Sequence, residues 1–306
     1  MSSPFGPITL ICNAQAGRGG VGKCLPEVRA KLEERGLSYE VRYTEGASHA
    51  TVIAREALEG GSRFLAAMGG DGTIHEVVNG MLKDDRPIVD DAVLGVVASG
   101  TGSDFIRTFG LPNMPAHAVA HLDGPESFPI DIGKITYTED GRSVTRYFPN
   151  IAEAGLGAET VRRAARLPRF LGPTVYFFAF WLSLARHKAA NVTIDLVDRK
   201  YEGVMNNLVV ANGQFFGGGM KVAPKAAPTD GLLDIQIEHT RRREAVALMP
   251  KVYKGQHVPH PDIEEAKRVR VSIDADRPLR IEADGELLGF TPATFEVLRD
   301  VINLKV

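Results

Sequence analysis

Along the first 130 residues, apolar positions recur in two alternating patterns. PITLIC (7–12), RFLAAM (63–68) and AVLGVVA (92–98) are short apolar runs, the pattern of strands covered on both faces. SYEVRYT (38–44) alternates like a strand. LPEVRAKLEERG (25–36), ASHATVIAREALEGG (47–61) and TIHEVVNGMLK (73–83) place apolar residues at helical spacing, the first two stopping at glycine. A further helix opens at SDFIRTFGL (103–111). Strand and helix in alternation predict a parallel sheet with helices on both sides.

The pattern changes after Asp131. RSVTRYFPNIA (142–152), NVTIDLV (191–197), YEGVMNNLVVANG (201–213), LLDIQIEHT (232–240), VRVSID (269–274) and LRIEADGELLGF (279–290) alternate polar with apolar between turn residues. That is the signature of antiparallel strands, interrupted by one helical stretch over roughly 157–188. The chain is therefore expected to be an α/β domain over 1–130 and a β-sandwich domain over 131–295. The strand-like VINLKV (301–306) can rejoin either domain by its pattern alone.

Composition narrows the function classes. A length of 306 residues fits about two domains of ~150 residues. The chain is 44% hydrophobic and 24% charged, with a net charge of −2. The balance leaves no basic footprint for nucleic acid. Two cysteines, Cys12 and Cys24, make no disulfide framework or metal cluster, which fits a reducing cytoplasm. The N-terminus lacks the basic segment of a signal peptide. FLGPTVYFFAFWLSLA (170–185) is short and interrupted against the ~20 apolar residues of a spanning helix. A soluble protein is expected, with this stretch as a buried or interface-facing helix.

Candidate chemistry lies in three glycine-rich loops, each following an apolar strand. In NAQAGRGGVGKC (13–24), Gly17, Gly22 and Lys23 match the spacing of a Walker A phosphate loop. Cys24 stands where that loop needs a hydroxyl for Mg²⁺, which prefers oxygen. Pro26 favours the first helical turn, which would leave Lys23 outside the helix. A phosphate-approaching loop of another kind, or a plain glycine turn, remains. In AAMGGDGTIHEVVNGML (66–82), Gly69, Gly70 and Gly72 permit close backbone approach and positive φ. Thr73 and Glu76 form a T-x-x-E capping box that would start the helix at Ile74. Such a helix start suits phosphate. Asp71 suits it if Mg²⁺ lies between them; a local cap is the alternative. VVASGTGSDFIRTFG (96–110) repeats the plan with Ser99, Gly100, Thr101, Gly102, Ser103 and Asp104. Ligands in open α/β sheets sit beyond the carboxyl ends of the strands, where the three loops are expected to converge as a nucleotide site.

GGDGT (69–73) and SGTGSDFIRT (99–108) resemble the diacylglycerol kinase catalytic-domain family, nearest to soluble bacterial lipid kinases and more distantly to sphingosine and ceramide kinases. DIGK (131–134), NGQFFGGGMKVAPKAAPTDGLLDI (212–235) and ADGE (283–286) continue the match in order over nearly the whole chain. The resemblance implies ATP-dependent phosphorylation of a lipid hydroxyl, as in phospholipid metabolism, in a cleft between domains. It implies a first domain like NAD kinase and phosphofructokinase, with the last strand (296–306) returning to it, and a β-sandwich second domain. By motif position Asn13, Gly17, Arg18, Thr44, the stretch from Gly70 to Glu76, and Thr101 would line the ATP site. Asp71, Asp104 and Asp131 would form the acidic network that organises metal and phosphates with Arg18. Asp230 with the carbonyls of Ala227 and Leu232 would hold a structural Mg²⁺, and Glu286 would be the catalytic base. Related bacterial enzymes imply a homodimer.

Departures occur where the family has N-P (here Asn13-Ala14), where it has N-D (here Ser103-Asp104), and at the proline replaced in VVASG. They bear on adenine-side geometry and substrate class. Read from residues alone, Asp284-Gly285 is a tight turn with Glu286 directly after it. Asp230 is compatible with an oxygen cage or with a plain D-G turn before a strand. His117 and His121 would share a helix face, and His257 and His260 stand near each other, but neither pair has a third zinc ligand. Arg162, Arg163, Arg166 and Arg169 beside the apolar 170–185 stretch suit peripheral contact with an anionic membrane, or a core helix with a solvated basic edge. TRRRE (240–244) reads as a solvated loop or helix start. An NAD kinase-like enzyme and an inactive nucleotide-binding relative are the alternatives to a lipid kinase.

Overall fold

The structure, a computed structural model, describes residues 3–98, 103–167 and 175–306. The chain divides into two compact units, Met1–Ile132 with Leu298–Val306, and Gly133–Val297.

The first unit runs β1 (Ile8–Cys12), α1 (Ala16–Glu34), β2 (Tyr39–Tyr43), α2 (His49–Glu59), β3 (Phe64–Gly69), α3 (Asp71–Met81), the two-residue strands β4 (Leu82–Lys83) and β5 (Arg86–Pro87), β6 (Val93–Ala98), α4 (Asp104–Phe109) and α5 (Pro115–Ala118). β1, β3 and β6 are buried along their whole length, as their unbroken apolar runs require. They pair in parallel in the order β6-β3-β1-β2. Asn303 and Leu304, near the C-terminus, add a parallel strand beside β6. This gives VINLKV its place in the first unit.

α1 buries Val21, Leu25, Val28 and Leu32, one helical stripe in the same core as Leu10, Met68 and Val97. Each such aliphatic side chain contributes ~1.5–3 kcal/mol. α2 buries Ala50, Ile53, Ala54, Ala57 and Leu58 and lies against α3. A Cβ on Gly80 of α3 would meet Thr51 O at 2.5 Å and Ala54 Cβ at 2.6 Å, so glycine sets the closeness of the two helices.

Several local expectations are corrected. α3 begins at Asp71, not Ile74, and its N-cap, Gly70, has no side-chain bond. The Glu76 carboxylate accepts instead from Ser48 N (2.8 Å) and Ala50 N (3.0 Å). It caps the neighbouring α2 because the packed pair brings that helix start within reach. The expected helix over 73–83 stops at Met81, and Leu82–Lys83 turns into β4. α5 ends at Ala118 and a 3₁₀ turn covers Ala120–Leu122. His117 and His121 therefore do not lie on one helix.

The second unit begins within β7 (Ser127–Glu139) and continues with β8 (Arg142–Phe148), β9 (Ile151–Gly155), α6 (Leu156–Ala164), α7 (Val175–Arg186), β10 (Ala190–Asp195), β11 (Lys200–Met205), β12 (Asn207–Ala211), β13 (Leu233–Glu238), α8 (Arg242–Val252), β14 (Ile263–Arg268), β15 (Arg270–Ala275), β16 (Arg280–Ala283) and β17 (Glu286–Lys305). One antiparallel run is β14-β13-β12-β9-β16-β17; a second joins β11, β10, β15 and β17. β17 pairs with β16 through Glu286–Phe290 and with β15 through Ala293–Glu296. Passing from sheet to sheet along one strand is how β-sandwich corners are made. The core includes Phe148, Leu208, Ile235, Ile273, Ile281 and Phe295. The helical interruption comprises α6 and α7, and TRRRE opens α8, where Glu244 Oε2 accepts from Arg241 N (2.9 Å).

Candidate functional site

Because β6, β3, β1 and β2 are parallel neighbours, their carboxyl ends share one edge. Gly69 stands beside Ala98, and Cys12 beside both Met68 and Tyr43. The loops after β1, β2 and β3 therefore leave from the same edge, where β6 also ends at Ala98. Thr44 N donates to Cys12 O (3.0 Å) and Asn13 N to Met68 O (3.0 Å), continuing the ladder one residue further.

In the first loop Gly17, Arg18 and Gly19 all take left-handed backbone, with φ of 58°, 61° and 79°. Glycine does this freely; for Arg18 it costs roughly 1–2 kcal/mol. Right-handed geometry resumes after Gly19, so Lys23 lies inside the helix, contrary to expectation, and Pro26 sits within it. Asn13 Nδ2 reaches Thr73 Oγ1 at 3.4 Å, tying the first loop to the second.

The glycines of the second loop serve closeness rather than handedness. Gly69, Gly70 and Gly72 are not among the described glycines with positive φ. A Cβ on Gly69 would stand 2.2 Å from Thr73 Oγ1, whereas one on Gly70 would meet nothing within 4 Å. Asp71 accepts from Asp104 N through Oδ2 (3.1 Å) and from Phe105 N through Oδ1 (3.0 Å). It thus holds the first turn of α4 from the start of α3, and Asp71 and Asp104 are brought together. Buried Asp104 also has Arg107 Nε 3.8 Å from its Oδ1. Buried Asp131 accepts from Asp300 N through Oδ1 (3.0 Å). Glu76 points toward α2, as above. Gly100 and Thr101, with Ser99, Gly102 and Arg169, lie outside the described residues.

In the second unit Asp284 and Gly285, with φ of 50° and 89°, make a two-residue hairpin turn, and Ala283 pairs with Glu286 across it. Asp284 Oδ1 accepts from Asn150 N (3.2 Å) and Ile151 N (3.0 Å), and Asp284 N donates to Ile151 O (2.8 Å). Gly285 N donates to Glu282 Oε2 (2.8 Å). Glu286 is exposed at the start of β17. Sequence reasoning missed the acids behind this turn, Glu282 and Glu153, both buried. In a strand that alternates, Glu282 reads as solvent-facing.

The same unit holds an apolar cavity, open to solvent and about 120 Å³ in volume, between α6, α7, α8 and the sheet. Phe177, Phe180, Leu184, Met220 and Leu248 line it, with Glu153, Asn207 and Glu238 as polar wall. Burial, then the charge of Glu153, pushes the Glu238 carboxyl up to about 8. Phe177, at the cavity, and the adjacent Phe178 of α7 are 43% and 48% exposed.

Asp230, expected at a metal, already has both oxygens engaged. Oδ1 accepts from Leu232 N (3.0 Å) and Oδ2 from Lys267 Nζ (2.8 Å). Lys267 also reaches Asp234 (3.1 Å) and Lys225 O (2.9 Å), and Ala227 O accepts from Thr229 N (2.7 Å). Burial alone would pull the Lys267 ammonium down, but its bonds to Asp230 and Asp234 hold it above its ordinary value. The site as arranged is filled by an ammonium and does not fit Mg²⁺. No group of three or more His, Cys, Asp or Glu suited to a metal occurs among the described residues.

Residues 7–135 match the family model of the diacylglycerol kinase catalytic domain, and residues 150–306 that of the YegS C-terminal NAD kinase beta sandwich-like domain. A diacylglycerol kinase of Staphylococcus epidermidis is 30% identical over 298 residues, spanning 96% of this chain and 90% of the relative. One from Staphylococcus aureus is 31% identical over 291 residues, spanning 94% and 88%. A crystal structure titled as a diacylglycerol kinase from Bacillus anthracis superposes with a TM-score of 0.74 at 21% identity, covering 99% of this chain and 97% of that one. That last likeness is one of fold.

Proposed function

The chain belongs to the diacylglycerol kinase family, and on that premise we propose that it transfers the γ-phosphoryl group of ATP to the hydroxyl of a lipid such as diacylglycerol. The observation that carries this reading is the shared strand edge of the first unit, where a left-handed glycine loop, an open Gly70 and the Asp71-held start of α4 meet. Phosphoryl transfer is catalysed chiefly by positioning and charge neutralisation. Asn13, Gly17, Arg18, Thr44, Gly69, Gly70, Gly72 and Thr73, with Gly100 and Thr101, hold the phosphates. Glu286 takes the proton of the alcohol as its oxygen attacks the γ-phosphorus and ADP leaves.

The family implies a divalent cation with the nucleotide. Asp71, a carboxylate oxygen donor at the start of α3 on the shared strand edge, would hold it; Asp104 and Asp131 are the other carboxylates of that unit assigned to it. Bound there, Mg²⁺ neutralises phosphate charge. The apolar cavity of the second unit is the place for acyl chains, and its neutral Glu238 carboxyl can donate to an ester carbonyl. The exposed aromatic side of α7 with Arg162, Arg163 and Arg166 nearby suits a bilayer surface. No helix among the described residues is long and apolar enough to cross a membrane.

Labelled ATP offered in parallel with diacylglycerol micelles and with NAD tests the reading. Label is expected in the lipid, and Glu286→Gln is expected to lower kcat at least ~10²-fold, within the range of a lost general base. Label in NAD points to the NAD kinase-like alternative. No transfer to either points to an inactive nucleotide-binding relative.

A further inference from the structure

Two buried carboxyl groups lie side by side beneath the turn that carries Glu286. Glu282 on β16 and Glu153 on β9 are direct partners in antiparallel register, so their side chains share one face of the sheet. Glu282 is fully buried and Glu153 nearly so. Glu153 Oε1 accepts from Asn207 Nδ2 (2.8 Å), whose Oδ1 accepts from Gly157 N (2.9 Å). Glu282 Oε2 accepts from Gly285 N (2.8 Å). Its Oε1 is buried and receives no hydrogen bond from any donor among the described residues.

Among the described residues, the charged groups around the pair offer no compensation. Glu159 on α6 is engaged by Arg162 and Arg280. Asp284 in the turn is a further acid, and Glu238 on β13 and His257 stand on the cavity side. Two ionised carboxylates in such a place repel; one proton between them turns the repulsion into a short O–H···O bond and gives Oε1 its partner. Burial, and for Glu282 also the Glu153 charge, raises both acids above the ordinary carboxylate range.

We propose that Glu153 and Glu282 share one proton, and that this acid pair positions Glu286. The shared proton keeps Glu282 turned under the hairpin, where its other oxygen holds the Gly285 N–H and so the backbone from which Glu286 projects. The positioning role rests on Glu286 being the base; the shared proton does not. An acid raised on folding supports the fold below its unfolded pKa, and that support is lost as pH rises through the raised folded value. Loss of the proton therefore loosens the turn on the alkaline side.

Glu282→Gln is the decisive variant, because its amide oxygen still accepts from Gly285 and its N–H₂ replaces the shared proton. It should keep kcat within about twofold at neutral pH and shift the alkaline limb of kcat upward. Glu282→Ala should lower kcat about 10–100-fold, the cost of misplacing a reacting group by ~1 Å, with KM for ATP unchanged. The infrared difference between the wild-type protein and Glu282→Gln at neutral pH should show one protonated carboxyl band, separate from the Glu238 background they share. Absence of that band overturns the shared proton, whatever the kinetics. An alkaline limb unmoved in Glu282→Gln, or wild-type kcat in Glu282→Ala, overturns the positioning role. If Glu286→Gln stays fully active the base assignment fails, while the band still judges the pair. Should Glu282→Ala not fold, Glu282→Gln and the band decide alone.

Discussion

Gly69 and Gly70 are adjacent in the loop after β3, yet on the proposed function they have opposite duties, and one alanine at each separates fold from site. A Cβ at position 69 would stand 2.2 Å from Thr73 Oγ1, 2.7 Å from Thr73 Cβ and 3.1 Å from Cγ2. Rotating the threonine moves Oγ1 and Cγ2 but not its Cβ, which belongs to the first turn of α3. Restoring an ordinary contact requires the helix start or the strand end to shift by about 0.7 Å, in a place where Thr73 is 4% exposed and interiors are close-packed. Overpacking of this kind costs ~1–3 kcal/mol. At ~2–4 °C per kcal/mol for a domain of this class, Gly69→Ala should lower the Tm of the first unit by about 2–12 °C. Gly70 has φ −98° and ψ −172°, extended backbone that alanine adopts, and open space where its Cβ would go. The weaker helix cap and the reduced unfolded-state entropy offset each other to within ~0.5 kcal/mol. Gly70→Ala should therefore melt like wild type while raising KM for ATP about tenfold or more, because on the proposed function its methyl would stand where phosphate approaches the backbone. Scanning calorimetry and initial rates against ATP measure both. A wild-type Tm in Gly69→Ala, or unchanged KM in Gly70→Ala, would refute the division of labour.

Glu76→Ala removes both acceptors at the start of α2; it should cost ~1–2 kcal/mol, the value of a helix cap, and leave KM for ATP near wild type. A raised KM at unchanged Tm would instead make Glu76 a nucleotide ligand. Lys267→Met removes the ammonium between Asp230 and buried Asp234, costing ~1–3 kcal/mol because the Asp234 carboxylate loses its partner. Its Tm in the absence of nucleotide should then rise with Mg²⁺ while that of wild type does not; equal response of the two proteins rejects the ammonium as the resident cation. His121 is held neutral to about pH 4 by burial and then by the Lys305 charge, and its ring nitrogens have no hydrogen-bond partner among the described residues. A base depressed on folding supports the fold above its unfolded pKa and loses that support as pH falls toward the folded value. Between about pH 6.5 and pH 4, His121→Leu should remove ~1.4 kcal/mol per pH unit from the acid slope of stability, and an unaltered slope in denaturant titrations would contradict the assignment.

Much of this molecule was legible in residue order because its signals are local. An unbroken apolar run such as RFLAAM suits a strand covered on both faces, and glycines after it suit backbone that must approach something closely. The change from helical spacing to alternation near Asp131 separated two kinds of architecture for the same reason. What residue order could not supply was which distant groups would meet. The T-x-x-E motif at Thr73 and Glu76 reads as a self-contained cap, but packing of α3 on α2 gave the carboxylate two nearer donors at Ser48 and Ala50. Asp71 reads as a phosphate-site acid, and only the order of β6 beside β3 reveals that it also holds α4. Glu282 alternates like a solvent-facing residue until α6 covers that face of the sheet and leaves it beside Glu153. Periodicity reports how one element divides inside from outside; the partners of a buried charge depend on elements far away in the chain, and those are settled when the layers pack.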